Sequence, residues 1–335
     1  TPTQKHPAWN LYFYFKRVFF WGVVYRGGGV WVGRCALAGT DLTLDAGRLR
    51  GAGGLSSLKA TARGDRASGI DLAQFRLWYS QSGTPEVSVT QLYDAATQQL
   101  RLTLTQHTPA TADQHSKQPL VIPVKIEILQ PQTQQRQQTL LVLTAASQEF
   151  VLSQIALPPL VVWLEDFSAP VKLHCQYTAE QWLRIAAQAS NGFARWDAMQ
   201  QYWSLMLRQA LSKKVLPQLS TELLAFYRQL LRQPLQDLAL SAELLQLPDF
   251  ETLAGQYQPI PVDALLDALQ HLTRQLATVL QEDFSYCYQQ QLFAPYRYQQ
   301  QQVGQRALRG LCLSYLAHTA AGEDVVEQQF QQADN

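Results

Sequence analysis

Apolar and polar residues alternate along the chain between residues 86 and 177, which is the pattern of β-strands with one buried face. In the clearest run, residues 122–128, four apolar residues share one face, while Lys125 and Glu127 lie opposite them. The connections between such runs are polar or contain proline, so we expect a small antiparallel β-sandwich. The pattern predicts seven strands, over residues 86–90, 100–104, 122–128, 139–143, 149–152, 161–164 and 171–177.

From Thr178 onward apolar residues recur with the period of an α-helix, and no strand pattern returns. Thr178 and Gln181 have the spacing of a capping box, and Asn191 with Gly192 predicts the end of that first helix. We expect an all-α domain, either a bundle or a solenoid, since no clean repeat distinguishes the two. The predicted helices cover residues 178–191, 193–213, 221–233, 241–247, 262–291 and 302–317.

The segment before the sandwich divides into a short predicted helix and a stretch without an assigned fold. Asp71 can cap the helix, and glycine and proline at residues 83–85 end it. Residues 1–66 show no sustained period. They hold ten Lys or Arg residues, three Asp or Glu residues and a single glutamine, whereas glutamine is abundant afterwards. This change of composition predicts two separate origins for the two parts of the chain.

Composition also excludes several classes of function. A formal net charge of +1 and 16 % charged residues argue against a nucleic-acid partner. The aromatic stretch at residues 9–32 is interrupted by Lys16, Arg17 and Arg26, whereas a membrane span needs about 20 apolar residues, so we expect no membrane insertion. The cysteines form no CxxC pair, which predicts buried free thiols in a reducing compartment. They are Cys35, Cys175, Cys287 and Cys312.

The chain lacks the short motif that a zinc peptidase needs. In H-E-x-x-H the two histidines lie on one helical face and bind zinc, and the glutamate deprotonates the bound water. None of the six histidines is followed by glutamate, and no two are four residues apart. His107 and His115 could approach each other in one polar loop, but a solvated loop is the favoured interpretation. We therefore predict no metal site on this chain.

Other chemical motifs are equally weak. His174 and Cys175 are adjacent on a predicted strand and should point to opposite faces. No nucleophile elbow or phosphate-binding loop is present, and we attribute the Arg–Gly–Asp sequence at residues 63–65 to chance. The adjacent carboxylates at residues 165–166 and 282–283 do not face each other in regular structure, so we interpret them as solvated surface groups.

A set of longer motifs carries a family resemblance. Residues 75–85, with the sequence FRLWYSQSGTP, resemble the junction that follows the catalytic domain in M1-family zinc aminopeptidase N of bacteria (alanyl aminopeptidase). Further blocks keep that family's order and approximate spacing, so the resemblance covers roughly residues 68–335. These blocks are residues 107–111, 117–120, 167–173, 193–198 and 306–309, together with Phe330.

The resemblance implies an architecture and a function. Residues 67–80 would be the terminal helix of a catalytic domain, residues 81–177 the β-sandwich, and residues 178–335 the first part of a helical domain that roofs the active site and limits entry to peptides. The intact parent would use zinc to remove N-terminal amino acids from peptides in the cytoplasm. Its zinc ligands, amine-binding segment and oxyanion tyrosine have no matching positions here, so no catalytic, cofactor-binding or metal residue is assigned, and no zinc is expected on this chain.

Two features depart from the family pattern. Residues 1–66 do not resemble catalytic-domain helices, and we expect them to be out of frame or disordered, joined to family sequence near residues 67–70. The family's helical domain also continues beyond residue 335. We therefore predict an inactive, C-terminal scaffold and gating region whose partner is the missing catalytic domain, with exposed apolar surface where that domain would pack. The alternatives are a stand-alone peptide- or protein-interaction module, and an active enzyme with an unrecognised site.

Overall fold

The structure is a computed structural model that describes residues 71–130, 135–291, 299–320 and 322–332. The segment at residues 1–66, with Cys35 and the Arg–Gly–Asp sequence, lies outside the described residues. Contacts within the chain define two compact units, which divide between Gln176 and Tyr177. In the described part of the chain, no helix is both long enough and apolar enough to cross a bilayer.

The first unit is a β-sandwich, as the alternating pattern predicts. All seven predicted strands are present, in a four-stranded sheet of order β5-β2-β1-β7 and a three-stranded sheet of order β4-β3-β6. Apolar residues from both sheets, such as Leu102 and Ile126, are fully buried. The strands are β1 (Glu86–Asp94), β2 (Gln99–His107), β3 (Ile122–Gln130), β4 (Gln135–Leu143), β5 (Ser147–Leu152), β6 (Leu160–Val162) and β7 (Lys172–His174).

Three details of the sandwich differ from the sequence prediction. β1 and β7 pair in parallel, whereas the other strand pairs are antiparallel. β6 ends early because Leu164 has a left-handed backbone (φ 54°) and a 3₁₀ turn, Glu165–Phe167, follows it. The polar face predicted for β3 is also wrong, since Glu127 is buried and Lys125 is largely so. β3 is the central strand of its sheet and is covered on both faces.

A short helix, α1 (Leu77–Ser80), precedes the sandwich. Asp71 accepts a hydrogen bond from the backbone N–H of Ala73 (2.8 Å), and a turn over residues 73–76 leads into the helix. Leu72 and Phe75 are buried, and the Trp78 indole Nε1 donates to the Val121 carbonyl (2.8 Å). The apolar side of this segment therefore packs against the sandwich.

The second unit is all helical, which confirms the predicted fold class. Its first helix begins with the predicted capping box, in which Thr178 and Gln181 exchange two hydrogen bonds. The helices are α2 (Ala179–Gln188), α3 (Gly192–Ser212), α4 (Thr221–Arg232), α5 (Leu238–Leu245), α6 (Phe250–Ala254), α7 (Val262–Val279), α8 (Gln281–Gln290), α9 (Gln300–Leu316) and α10 (Gly322–Gln332).

Some helix boundaries differ from the prediction. Asn191 does not end α2; its side chain caps α3 by accepting from the backbone N–H of Ala194 (3.0 Å). The predicted helix at residues 262–291 breaks at Leu280 into α7 and α8, and α6 and α10 are additional. His318 lies just beyond the end of α9.

An aromatic core holds the helices of the second unit together. Trp203 and Tyr227 are fully buried, with ring centroids 6.5 Å apart in an edge-on arrangement. Phe284 and Tyr315 stack at 4.6 Å. The segment predicted as one helix at residues 262–291 supplies four buried leucines, whereas Leu266 is exposed. The buried leucines are Leu265, Leu272, Leu276 and Leu280.

Candidate functional site

The histidines within the described residues do not converge. His107 and His115 are both exposed, and the His174 Nε2 lies 3.2 Å from a carboxylate oxygen of Glu86 on the neighbouring strand. His271 lies on α7. Within residues 71–130, 135–291, 299–320 and 322–332, no three or more His, Cys, Asp or Glu side chains are placed to hold a metal ion. The described residues therefore do not fit a zinc ion.

Three of the sequence motifs meet instead at the entry to the sandwich. We call Ser82, Thr111, Asp113, Gln114 and Lys117 the junction cluster. The Lys117 Nζ lies 2.9 Å from the Ser82 carbonyl, 3.0 Å from the Ser82 Oγ, 2.9 Å from the Thr111 Oγ1 and 2.8 Å from the Gln114 Oε1. The ammonium thus joins the segment before β1 to the loop between β2 and β3.

Further hydrogen bonds surround the junction cluster. The Ser82 hydroxyl donates to the Asp113 carboxylate (3.0 Å), and the Ser82 N–H donates to the Gln114 Oε1 (3.1 Å). Hydrogen bonds from Thr111 and then Ser82 hold the pKa of Asp113 below its usual value. Asp113 therefore stays ionised at neutral pH and adds negative charge beside the Lys117 ammonium.

Gly83 permits this close approach. Its φ of +91° is a conformation that L side chains rarely adopt. A Cβ at this position would also lie 3.3 Å from the Thr111 Cγ2 and 3.4 Å from the Pro109 carbonyl. The glycine of the FRLWYSQSGTP motif is thus required by the backbone turn and by the packing of the loop.

At the carboxylate pair of residues 165–166, the prediction of solvated groups is wrong for Glu165, whereas Asp166 is exposed. Glu165 has no exposed surface, and its Oε1 accepts from the Gln138 Nε2 (3.1 Å). The Lys125 Nζ lies 2.8 Å from Asp166 and 3.6 Å from Glu165. The Lys125 backbone N–H also donates to the buried Ser168 hydroxyl (3.0 Å). These groups anchor the segment after β6 to β3.

At the second carboxylate pair, residues 282–283, the prediction of a solvated group is wrong for Asp283. Asp283 on α8 is only 8 % exposed, and its carboxylate lies 2.6 Å from the Arg232 Nε and 3.5 Å from the Arg228 Nε of α4. The Arg232 guanidinium also lies 4.5 Å from the centroid of the Tyr286 ring. Asp283 is therefore a structural ion-pair residue between two helices.

Two of the cysteines lie together in the helical core. Cys287 on α8 and Cys312 on α9 are fully buried free thiols, close enough for a thiol–thiol hydrogen bond. That hydrogen bond and burial hold the pKa of Cys312 far above its usual value. A thiol that stays protonated is a poor nucleophile. The same hydrogen bond lowers the pKa of Cys287, but both side chains are fully buried, so we interpret the pair as packing residues. Cys175 is half-buried.

The remaining motifs also make scaffold contacts. In the 193–198 block, the Arg195 Nε donates to the Ala186 carbonyl (2.6 Å) and joins α3 to α2. In the 306–309 block, the Arg309 Nη2 donates to the Tyr288 hydroxyl (2.9 Å), which donates to the Gln329 Oε1 (2.8 Å). That chain of hydrogen bonds connects α9, α8 and α10. These residues belong to the motifs that carry the family resemblance, but nothing in the sequence indicated which contacts they make.

Asp197 on α3 gives a pH-dependent prediction. Burial raises its pKa to about 6 from an ordinary 3.8, and a long hydrogen bond from Gln201 (3.5 Å) only partly opposes this. As the pH rises, the carboxyl ionises in the unfolded chain before it ionises in the folded chain. The folded state therefore loses stability between about pH 4 and about pH 6, and its stability stays lower at higher pH. Asp197→Asn should therefore stabilise the chain by about 1–2 kcal/mol near pH 7.5, as water still reaches part of the side chain.

Urea unfolding followed by far-UV circular dichroism measures this difference near pH 7.5 and again near pH 4. The gain in unfolding free energy should shrink strongly at the lower pH, where the wild-type carboxyl is protonated in the folded state and partly protonated in the unfolded chain, whose ordinary pKa is 3.8. Asp267→Asn, an exposed position on α7, is the matched control and should change little at either pH. An Asp197→Asn variant with wild-type stability at both pH values would show that the carboxylate is well solvated.

Both units match known domain families. Residues 83–176 match a domain of unknown function (DUF3458) with an Ig-like fold. Residues 179–335 match a domain of unknown function (DUF3458_C) with ARM repeats. The first match agrees with the predicted sandwich, and the second agrees with the predicted helical domain. The ARM-repeat description favours the solenoid over the bundle.

The chain is also similar to curated and solved aminopeptidases. It is 36 % identical to aminopeptidase N of Haemophilus influenzae over 81 % of its length, and 35 % identical to aminopeptidase N of Escherichia coli over 80 %. The crystal structure of Legionella pneumophila aminopeptidase A in complex with aspartic acid aligns with a TM-score of 0.70 and 25 % identity, over 80 % of this chain and 31 % of that one. The chain spans only 32 % of the length of the two curated relatives.

Proposed function

Because residues 83–335 belong to the C-terminal region of the aminopeptidase N family, we propose that this chain is the non-catalytic part of a zinc aminopeptidase. The parent activity would be the release of N-terminal amino acids from peptides by a zinc-activated water. In this proposal the sandwich and the helical unit act as a scaffold, and the helical unit limits which substrates reach the catalytic centre.

One observation carries the proposal. The similarity extends through both units, yet the sequence contains no H-E-x-x-H motif with which to bind zinc and activate water. The motifs that carry the resemblance support a scaffold function, because Lys117, Arg195 and Arg309 each join separate segments by hydrogen bonds. We propose that zinc and the catalytic residues belong to a separate M1-type catalytic domain, which would be the chain's main partner in the cytoplasm.

Association with a catalytic domain tests this function. The chain is co-expressed with the part of Escherichia coli aminopeptidase N that precedes the region similar to this chain, and complex formation and release of p-nitroaniline from alanine p-nitroanilide are measured. We expect co-purification and a higher activity or thermal stability of the catalytic part. An unrelated protein of similar size is the control.

The same experiment distinguishes the alternative interaction-module function. A chain that leaves the catalytic part unbound and unstabilised, but binds peptides when isolated, would contradict the scaffold proposal and favour the stand-alone module. Activity of the isolated chain would contradict both.

A further inference from the structure

In the junction cluster, four oxygen atoms surround a single cation, the ammonium group of Lys117. We infer that the Ser82 carbonyl, the Ser82 and Thr111 hydroxyls and the Gln114 side-chain carbonyl form a monovalent-cation site, occupied by the ammonium of Lys117. By filling it, Lys117 fixes the path of the chain between α1 and β1. This inference does not rest on the proposed function.

The geometry is that of a coordinated cation rather than a single ion pair. Four oxygens lie between 2.8 and 3.0 Å from the Lys117 Nζ, whereas an ammonium carries only three N–H groups. One N–H is therefore shared between two oxygens. All four contacts fall within ordinary N–H···O distances, and a charged donor makes each one stronger than a neutral hydrogen bond.

The hydrogens of the surrounding groups point away from the ammonium. The Ser82 hydroxyl donates to Asp113, which leaves its oxygen lone pairs facing Lys117. The Gln114 amide nitrogen is directed at the Ser80 carbonyl (3.4 Å), so the Gln114 Oε1 faces the Lys117 Nζ. Asp113 supplies a carboxylate in the next layer of the cluster. The cluster therefore presents acceptors inward and a negative charge behind them.

The site joins two segments of irregular backbone. Ser82 lies in the connection between α1 and β1, and Thr111 and Gln114 are held by a two-residue bridge in the β2–β3 loop. Gln81 pairs with the backbone of Gln118 on one side of the cluster. Buried Leu72 and Phe75 and the Trp78–Val121 hydrogen bond hold α1 to the sandwich, whereas at Ser82 the Lys117 ammonium contacts both segments directly.

Lys172 offers a matched lysine in the same unit. Its side chain is 65 % exposed and its Nζ lies 3.9 Å from Glu86, and within the part of the chain that the structure describes no comparable set of oxygens surrounds it. A lysine held only as a surface ion pair contributes little to local order. Comparing variants of Lys117 and Lys172 therefore distinguishes the loss of the cation site from the loss of one positive charge.

Hydrogen exchange of the full chain tests the inference. In Lys117→Ala, the amides of residues 80–85 and 110–115 should exchange about tenfold faster, as expected when a charged hydrogen-bonded group is lost. Lys117→Met should give the same result, because it keeps an unbranched apolar side chain that reaches the position of Cε but removes the N–H donors. Lys172→Met should leave these segments unchanged. The amides of β3 report whether each variant is still folded.

Chemical rescue then tests the cation itself. Methylammonium should restore protection to Lys117→Ala, whereas tetramethylammonium, which has no N–H donor, should not at the same ionic strength. Unchanged exchange in Lys117→Met, or lost protection that methylammonium leaves unrestored, would overturn the inference. A variant whose β3 also exchanges fast would show that Lys117 stabilises the whole sandwich, which would also contradict a local cation site.

Discussion

Lys125→Met is expected to lower the unfolding free energy of the sandwich unit by about 3 kcal/mol. The substitution keeps the size of the side chain but removes the cation that lies 2.8 Å from Asp166 and 3.6 Å from the fully buried Glu165. A buried carboxylate that loses its cation retains the cost of desolvation without the compensating attraction. Hydrogen exchange of the β3 amides measures the loss, because we expect amides of a buried central strand to open only when the whole unit unfolds.

Two further variants make this test specific. Arg101→Met removes an exposed cross-strand ion pair with Glu149 and should cost no more than about 1 kcal/mol. The double variant Lys125→Met with Glu165→Gln should recover part of the loss, since the buried charge is removed as well. A Lys125→Met chain as stable as the Arg101→Met control would mean that water solvates Glu165 in solution.

Trp203→Ala is expected to cost the helical unit about 3–5 kcal/mol, the usual range for truncating a large buried aromatic residue. Trp203 is 1 % exposed, and its ring contacts those of Tyr202 (centroids 5.3 Å apart) and Tyr227 (6.5 Å). The neighbouring rings belong to two helices, so the cavity cannot close by moving one side chain. Urea unfolding followed by far-UV circular dichroism reports this unit, which supplies most of the helical signal.

Phe330→Ala is the matched control for the aromatic core. Phe330 belongs to the resemblance motifs as well, but 81 % of its side chain is exposed in the structure. Its removal should change the unfolding free energy by less than about 0.5 kcal/mol. Equal losses for Trp203→Ala and Phe330→Ala would contradict the assignment of Trp203 to the core of the helical unit.

Local patterns were sufficient for the secondary structure and for the fold class. Strands with one buried face show alternation directly, and the Thr178 capping box needs only residues three apart. The prediction failed where one local pattern allows two structures. Asparagine followed by glycine is favourable at a helix end and at a helix start, and here Asn191 serves the start of α3.

Contacts between residues that are far apart in the sequence could not be predicted from local patterns. Glu165 and Asp283 look like surface carboxylates, because the cations that neutralise them are 40 and 51 residues away, at Lys125 and Arg232. The polar face predicted for β3 failed for the same reason. Its position at the centre of a three-stranded sheet, covered on both faces, depends on strands that pair with it from a distance.

The junction cluster illustrates the same limit at the level of function. The motifs at residues 75–85, 107–111 and 117–120 were recognisable as a family pattern. Their common purpose follows only from the fold, which brings Ser82, Thr111 and Lys117 together. Residues that match a family without touching a reaction centre can serve to fix the connection between α1 and the sandwich.

The most direct test of the central claim is an assay of the purified chain supplied with zinc. Intact Escherichia coli aminopeptidase N is the positive control, and both are assayed for bound zinc and for release of p-nitroaniline from alanine p-nitroanilide. A non-catalytic scaffold predicts no turnover and no zinc retained after dialysis, because the H-E-x-x-H ligands are missing from the sequence. One zinc ion retained per chain, with turnover that a chelator abolishes, would contradict it.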